Sequence, residues 1–407
     1  MTEAEIRKLL ADKGQEHVLR YWEELDESEK ETLKAQIEEI DWDVIAKVGE
    51  KERAAGSKIE PLATLTLSDI EKRYDEYREK GLEAIRKGRI GAVLLAGGMG
   101  TRLGSDRPKG ELNVGINREL SIFNCLINNL REVTGEAGVS IPLFVMTSEK
   151  NDIETREYFK KNNYFDYPAG DVYFFVQQMA PAVDYDGKLL MEEPGRLATS
   201  PNGNGGWFAS LKRAGLLDTV HQRGIDYINI FAVDNVLQRI ADPVFIGATI
   251  DAGADCGSKV VMKNDPYEKV GVMCLEDGRP SIVEYYDLSD DMANEVDDKG
   301  NFTYGAGVIL NYLFLVSRLE EIVDVALPVH VVEKKIPYID GDKKLIKPEE
   351  PNGYKFESLA VDMIRLMEGC VPFEVVREKE FAPIKNLHGI DSLDSARELL
   401  QKNGIEL

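Results

Sequence analysis

The sequence predicts an α/β fold, a doubly wound and mostly parallel sheet, preceded by a helical N-terminal segment. Three observations predict it. Short continuous apolar runs recur from about residue 88 onward, as expected of strands covered on both faces. Helical stretches alternate with them. Two of the runs end at polar features, a glycine loop after Leu95 and Asp234-Asn235 after Val233, and ligands of open α/β sheets sit beyond such strand ends.

In chain order, residues 1–87 read as amphipathic helices, because Ile6, Leu9, Leu10, Leu33, Ile37 and Ile40 recur at three- and four-residue intervals among Glu, Lys and Arg. Asp26 followed by Glu29 has the spacing of a capping box. The strand candidates that follow are Ala92–Leu95, Leu143–Met146, Val172–Val176 and Tyr227–Val233. Helices are expected over Ile122–Leu130, Asp152–Phe159 and Trp207–Leu217. Shorter strands are expected around Val270–Leu275, Ser281–Tyr285 and Ala306–Leu310, as a sheet extension for a second substrate. The expected organisation is a helical segment over 1–87, an α/β domain over 88–390 and a short C-terminal appendage over 391–407.

The chain has 407 residues, 43% hydrophobic and 30% charged, the composition of a folded globular protein. A formal charge of −23 argues against a broad grip on nucleic acid or anionic lipid, since phosphate neutralisation needs a basic surface. No apolar run is long enough to span a bilayer and no signal-peptide pattern opens the chain, so a cytoplasmic protein is expected. Cys125, Cys256, Cys274 and Cys370 are scattered, which points to reduced, buried thiols. The four histidines, His17, His221, His330 and His388, are equally dispersed, and neither set suggests a metal cluster or a histidine-based triad.

The segment richest in chemistry is Leu95-Ala96-Gly97-Gly98-Met99-Gly100-Thr101-Arg102-Leu103-Gly104, with Pro108-Lys109-Gly110 shortly after it. Glycines after a buried strand let backbone N–H groups approach phosphate oxygens, and Arg102 and Lys109 add positive charge. A dinucleotide-binding G-x-G-x-x-G would need glycine where Leu103 stands. A P-loop would need Gly-Lys followed by Ser or Thr, whereas the order here is Lys109-Gly110-Glu111. Both familiar phosphate loops fail, and a phosphorylated ligand is still implied.

The full string closely resembles the signature of the UDP-N-acetylglucosamine pyrophosphorylase family, the eukaryotic-type UDP-sugar pyrophosphorylases and their bacterial uridylyltransferase relatives. Further matching segments follow in order: Phe174-Phe175-Val176-Gln177 with Pro181-Ala182; Pro201-Asn202-Gly203-Asn204-Gly205-Gly206; Val233-Asp234-Asn235; Gly253 to Gly257; Val283-Glu284-Tyr285; Lys334 to Tyr338; Pro351-Asn352-Gly353-Tyr354-Lys355; and Pro383-Ile384-Lys385-Asn386. The resemblance implies a fold of the nucleotidyltransferase type and makes residues 88–390 its catalytic domain. It also implies a reaction in which UTP and a sugar 1-phosphate give a UDP-sugar and pyrophosphate with Mg²⁺.

By the same resemblance, Arg102 and Lys109 hold the triphosphate and stabilise the leaving pyrophosphate. Lys355 and Lys385 bind phosphates, Lys385 nearest the sugar phosphate. Arg102, Lys109 and Lys385 form the implied catalytic set. Asp234, ending a buried strand, is the candidate Mg²⁺ ligand; read without the family it is equally a turn cap before Asn235. The base falls to Leu95, Ala96, Gly97 and Gly98, the amide of Gln177 and the backbone at Gly203, and the hexose to Asn204, Gly271, Glu284 and Tyr285. The chain departs from the family at Gly305-Ala306-Gly307-Val308, where members acting on N-acetylated sugars carry Asn-Ala-Gly-Asn. This makes glucose or galactose 1-phosphate candidates beside N-acetylglucosamine 1-phosphate. Two other functions fit an α/β nucleotide site: a nucleotide-sugar-dependent glycosyltransferase, which has no need of Arg102 and Lys109 to handle pyrophosphate, and a non-catalytic UDP-sugar sensor, which has no need of the charged set.

Overall fold

The computed structural model describes residues 1–46, 48 and 57–407, and the chain divides by its internal contacts into two units. The larger takes Gly56–Gln177, Trp207–Ala326 and Ala360–Leu407; the smaller takes Met1–Ala55, Gln178–Gly206 and Leu327–Leu359.

A ten-stranded sheet forms the larger unit. Its strands in chain order are β1 (Ile59–Pro61), β2 (Ile90–Leu95), β3 (Leu143–Thr147), β4 (Val172–Val176), β5 (Tyr227–Ala232), β6 (Cys256–Met262), β7 (Val272–Glu276), β8 (Arg279–Val283), β9 (Ala306–Leu315) and β10 (Cys370–Glu374). The order β5-β2-β3-β4 is parallel throughout, as the buried apolar runs predict. In β2 every residue is buried: Ile90, Ala92 and Leu94 join one core cluster, while Val93 and Leu95 alternate to the other face and are buried there. Beyond β5 the sheet turns antiparallel. β9 pairs with β5 and β6, and with β7 through Gly307 opposite Val272, and β6 pairs parallel with β10.

Local signals explain the helices. Ile122–Ala137 starts where the Ser121 hydroxyl accepts the Asn124 N–H and stops at Gly138, whose φ of 76° supplies the left-handed C-cap. The expected helix over Trp207–Leu217 is instead two, Trp207–Arg213 and Leu216–Arg223, separated by Gly215 at φ 73°. The break falls at the one residue there free to adopt that conformation. Helices Tyr74–Arg86 and Pro243–Asp251 touch backbone to backbone: a Cβ on Gly81 would lie 1.9 Å from the Pro243 carbonyl, and one on Gly247 1.8 Å from that of Tyr77. The helix Leu393–Lys402 sends Leu393, Ala396 and Leu400 into the main core.

In the smaller unit, helices Glu3–Asp12 and Glu27–Glu38 each begin with a capping box, Thr2 with Glu5 and Asp26 with Glu29. Their stripe, Ile6, Leu10, Leu33 and Ile37, is fully buried. It packs in one cluster with Val183, Leu189, Met191, Leu197, Ile339 and Phe356 from the two later stretches of the chain. A three-stranded antiparallel sheet joins His330–Lys334, Gly353–Glu357 and Val183–Asp184. The first part of the expected helical segment, Met1–Ala55, thus has its core partner in excursions from the α/β chain, whereas helix Tyr74–Arg86 packs in the larger unit. Among the described residues no helix is long and apolar enough to cross a membrane, and the four cysteines are free and buried.

Candidate active site

Beyond β2 the glycine loop doubles back on itself. The Gly100 N–H donates to the Arg107 carbonyl at 2.9 Å and the Lys109 N–H to that of Gly98 at 3.1 Å. Leu103 pins the turn Thr101–Leu103 to the core, and Gly104 at φ 70° closes it. Asn151 holds the loop from beneath: fully buried, it donates through Nδ2 to the carbonyls of Ala96 (2.9 Å) and Gly98 (3.3 Å), and its Oδ1 accepts the Ser148 N–H.

Lys109 emerges from this loop toward the end of β5. Its Nζ lies 4.0 Å from Asp234 Oδ2, with side-chain exposures of 16% and 27%. Burial holds the Lys109 ammonium below the usual lysine range; Asp234 pulls it back up, and Lys385 and Arg102 push it further down. Arg102 and Lys385 are thus close enough to act on the Lys109 charge, beside the Asp234 carboxylate. Asn235, buried and next to Asp234, sets the neighbouring chain in place. Its Oδ1 accepts the Ala382 N–H, its Nδ2 donates to the Glu380 carbonyl, and Asp234 O accepts the Ile384 N–H at 2.9 Å. That strand-like pairing delivers Lys385, which is exposed and bonded to Asp391 at 2.9 Å.

Two further groupings lie in the larger unit. Gln177 packs directly on Gly97, where a Cβ would meet its Nε2 at 2.0 Å, so the glycine is required and the amide sits at the mouth of the loop. Leu95, Ala96 and Gln177 are all buried. Gly271 faces Glu284, whose Oε1 a Cβ would meet at 3.3 Å, and the Gly271 carbonyl accepts the Val308 N–H at 2.9 Å. The departing stretch Gly305–Val308 thus borders the residues expected to hold the hexose. Tyr285 is exposed, its ring edge-on to Tyr286 at 5.1 Å.

Gly203, Asn204 and Lys355 belong to the smaller unit. Gly203 takes φ 87° against Ser358, three residues past Lys355, and a Cβ there would lie 2.1 Å from the Ser358 carbonyl. The Ser358 N–H donates to Asn202 and the Gly205 N–H to Ser358, which laces the loop of Gly203 and Asn204 to the strand that carries Lys355.

Residues 25–404 match the model of a family described as UTP--glucose-1-phosphate uridylyltransferase. The chain belongs to this family. The human UDP-N-acetylhexosamine pyrophosphorylase-like protein 1 is 35% identical over 97% of this chain and 83% of its own length. The UDP-N-acetylglucosamine pyrophosphorylase of Saccharomyces cerevisiae is 34% identical over 94% and 86%. Among solved structures, the uridine diphosphate N-acetylglucosamine pyrophosphorylase of Trypanosoma brucei, crystallised with an inhibitor, superposes with a TM-score of 0.84. It covers 99% of this chain and 85% of its own at 29% identity. Family membership makes the chain a uridylyltransferase, an enzyme acting on UTP and a sugar 1-phosphate.

For a uridylyltransferase, the electrostatic task is to bring two polyanions together on a protein of charge −23, which calls for local positive charge. Sequence reasoning missed the groups behind this site. Asn151 carried no motif, and Asn235 stood in one only as a neighbour. Lys259 is fully buried in β6 and bonds Asp242 (3.1 Å), Glu380 (2.6 Å) and the Arg239 carbonyl (3.1 Å), an anchor for the segment leading to Lys385. Burial pushes Glu380 above the usual carboxylate range; Lys259 draws it back, and Asp242 adds to the rise.

Proposed function

We propose that this chain joins UTP to a hexose 1-phosphate through direct attack on the α-phosphorus, with the catalytic residues in the stretch 88–390. The observation that carries the reading is Lys109, 4.0 Å from Asp234 and close enough to Arg102 and Lys385 for both to act on its charge. An oxygen of the sugar phosphate forms the new bond to the α-phosphorus. The bond from that phosphorus to the bridging oxygen breaks, and pyrophosphate leaves with the electron pair. The nucleophile is already an anion near neutral pH, so no side chain need remove a proton.

In this reading Arg102 and Lys109 neutralise the triphosphate and the departing pyrophosphate, Lys385 receives the sugar phosphate, and Lys355 binds phosphate. Leu95, Ala96, Gly97, Gly98 and Gln177, with Gly203, take the uracil, whose donors and acceptors an amide can match. Asn204, Gly271, Glu284 and Tyr285 take the hexose. Asp234 suits Mg²⁺: a hard, partly exposed carboxylate oxygen beside the Lys109 ammonium. When bound, Mg²⁺ would supply charge neutralisation between the phosphates. Free, buried cysteines support a cytoplasmic setting.

The names of the relatives favour an N-acetylhexosamine 1-phosphate. Gly305 and Val308 favour a second reading, glucose or galactose 1-phosphate, because neither offers a side-chain hydrogen bond to an acetamido group beside Gly271 and Glu284. A panel of the four sugar 1-phosphates, glucose, galactose, N-acetylglucosamine and N-acetylgalactosamine, with UTP and Mg²⁺, tests both through pyrophosphate release. Turnover confined to the acetylated pair upholds the first, turnover confined to the others the second, and none with any sugar defeats the proposal.

A further inference from the structure

We propose that Asp391 is a positioning residue for Lys385, fixing the ammonium for the sugar phosphate; the inference rests on the role given to Lys385 above. Asp391 grips Lys385 twice. Its Oδ2 accepts from the Lys385 Nζ at 2.9 Å, and its carbonyl accepts the Lys385 N–H at 2.7 Å and the Asn386 N–H at 3.2 Å. To do so Asp391 adopts φ 52°, a left-handed conformation uncommon for L-residues and found among them chiefly at asparagine and aspartate. Strain of this kind persists where the surroundings enforce it.

The surroundings do enforce it. Ser392, the next residue, is fully buried and N-caps the helix Leu393–Lys402, whose Leu393, Ala396 and Leu400 are fixed in the core. On the other side of Lys385, Ile384 is tied to the Asp234 carbonyl and Pro383 bridges Asn235. The loop 386–390 therefore closes between two rigid anchors, and Asp391 is the point at which the second anchor reaches the lysine. An isolated ion pair with exposures of 47% and 31% would be weakly held. Here the carboxylate belongs to a backbone already bonded to residues 385 and 386, so the geometry of the pair is fixed before the ammonium arrives. The arrangement holds a long, flexible side chain in one direction while leaving its remaining N–H donors to an incoming anion.

The test is a double-mutant cycle on steady-state pyrophosphate release by the full chain, with Asp391→Asn, Lys385→Ala and the double variant. Asparagine tolerates the left-handed backbone and removes only the charge, and an unchanged melting temperature verifies the fold. The expected result is a loss of about tenfold in kcat/KM for the sugar 1-phosphate in Asp391→Asn, with the KM for UTP within about twofold of the unaltered chain. In the Lys385→Ala background the same substitution should cost less than about twofold. Equal losses in both backgrounds, or no loss in the first, would overturn the inference while leaving the uridylyltransferase reading intact. If instead the unaltered chain releases no pyrophosphate with any sugar 1-phosphate, that reading falls, and the inference with it.

Discussion

Glu111 is a carboxylate placed where a carboxylate is costly, and replacing it with glutamine should stabilise the protein in a pH-dependent way. Its side chain is 3% exposed, both oxygens lack a hydrogen-bond partner among the described residues, and Arg107 Nη2 lies 3.1 Å away without making one. Burial raises its pKa from 4.5 to about 6; Arg107 opposes the rise, and Glu154 adds to it. A raised carboxylate pKa means that the folded state holds the proton more tightly than the unfolded one. Stability is therefore retained below about pH 4.5 and lost as pH climbs through about 6. At 1.36 kcal/mol per pKa unit the loss is ~2 kcal/mol at pH 8 and ~0.8 kcal/mol at pH 5. Glu111→Gln removes the charge at nearly constant shape. With about 2.1 cal/mol/K per residue over the roughly 290 residues of the larger unit, the gain in melting temperature is ~3 °C at pH 8 and ~1 °C at pH 5. Differential scanning calorimetry at the two pH values measures it. A pH-independent gain, or a loss, would show that burial does not outweigh Arg107 at Glu111.

Gly97→Ala would place a Cβ 2.0 Å from Gln177 Nε2 and displace the amide; the expected outcome is a rise in KM for UTP of about tenfold, equivalent to ~1.4 kcal/mol, in a substrate titration. Lys259→Met leaves the buried Glu380 without its cation and Asp242 with only Arg239 at 3.8 Å, and should cost ~3–5 kcal/mol, a fall of about 5–8 °C in melting temperature by the same conversion. Because both carboxylates can then be neutralised by protons, that fall should shrink at pH 5. Asp234→Asn should lower pyrophosphate release by about 10²–10³-fold, with no rescue by added Mg²⁺.

The parallel half of the sheet was legible from unbroken apolar runs: Ala92–Leu95 and Leu143–Met146 are buried at every position, and Val172–Val176, at the sheet edge with only Phe175 buried, is apolar throughout. The glycine loop and Asp234 were legible for a related reason: both occupy strand ends, where topology places ligands. The smaller unit was not legible as a unit. The stripe of Ile6, Leu10, Leu33 and Ile37 says that a partner face exists, but Val183, Leu197 and Phe356 come from stretches for which the sequence suggested no strand or helix. Local pattern cannot name a partner more than a hundred residues away. Asn151, Lys259 and Asp391 escaped for the same physical cause: a lone polar residue acquires its meaning from what it bonds, and their bonds reach the Ala96 carbonyl, Glu380 and Lys385 only in the folded chain.

Pyrophosphate release from UTP, followed with and without a sugar 1-phosphate in the unaltered chain and in Lys385→Ala, tests the central claim most directly. The account predicts release that depends on the sugar 1-phosphate, a fall of about 10²–10³-fold in kcat for Lys385→Ala, and UTP affinity within about twofold of the unaltered chain. Near-normal turnover in Lys385→Ala, or release that ignores the sugar 1-phosphate, would contradict it.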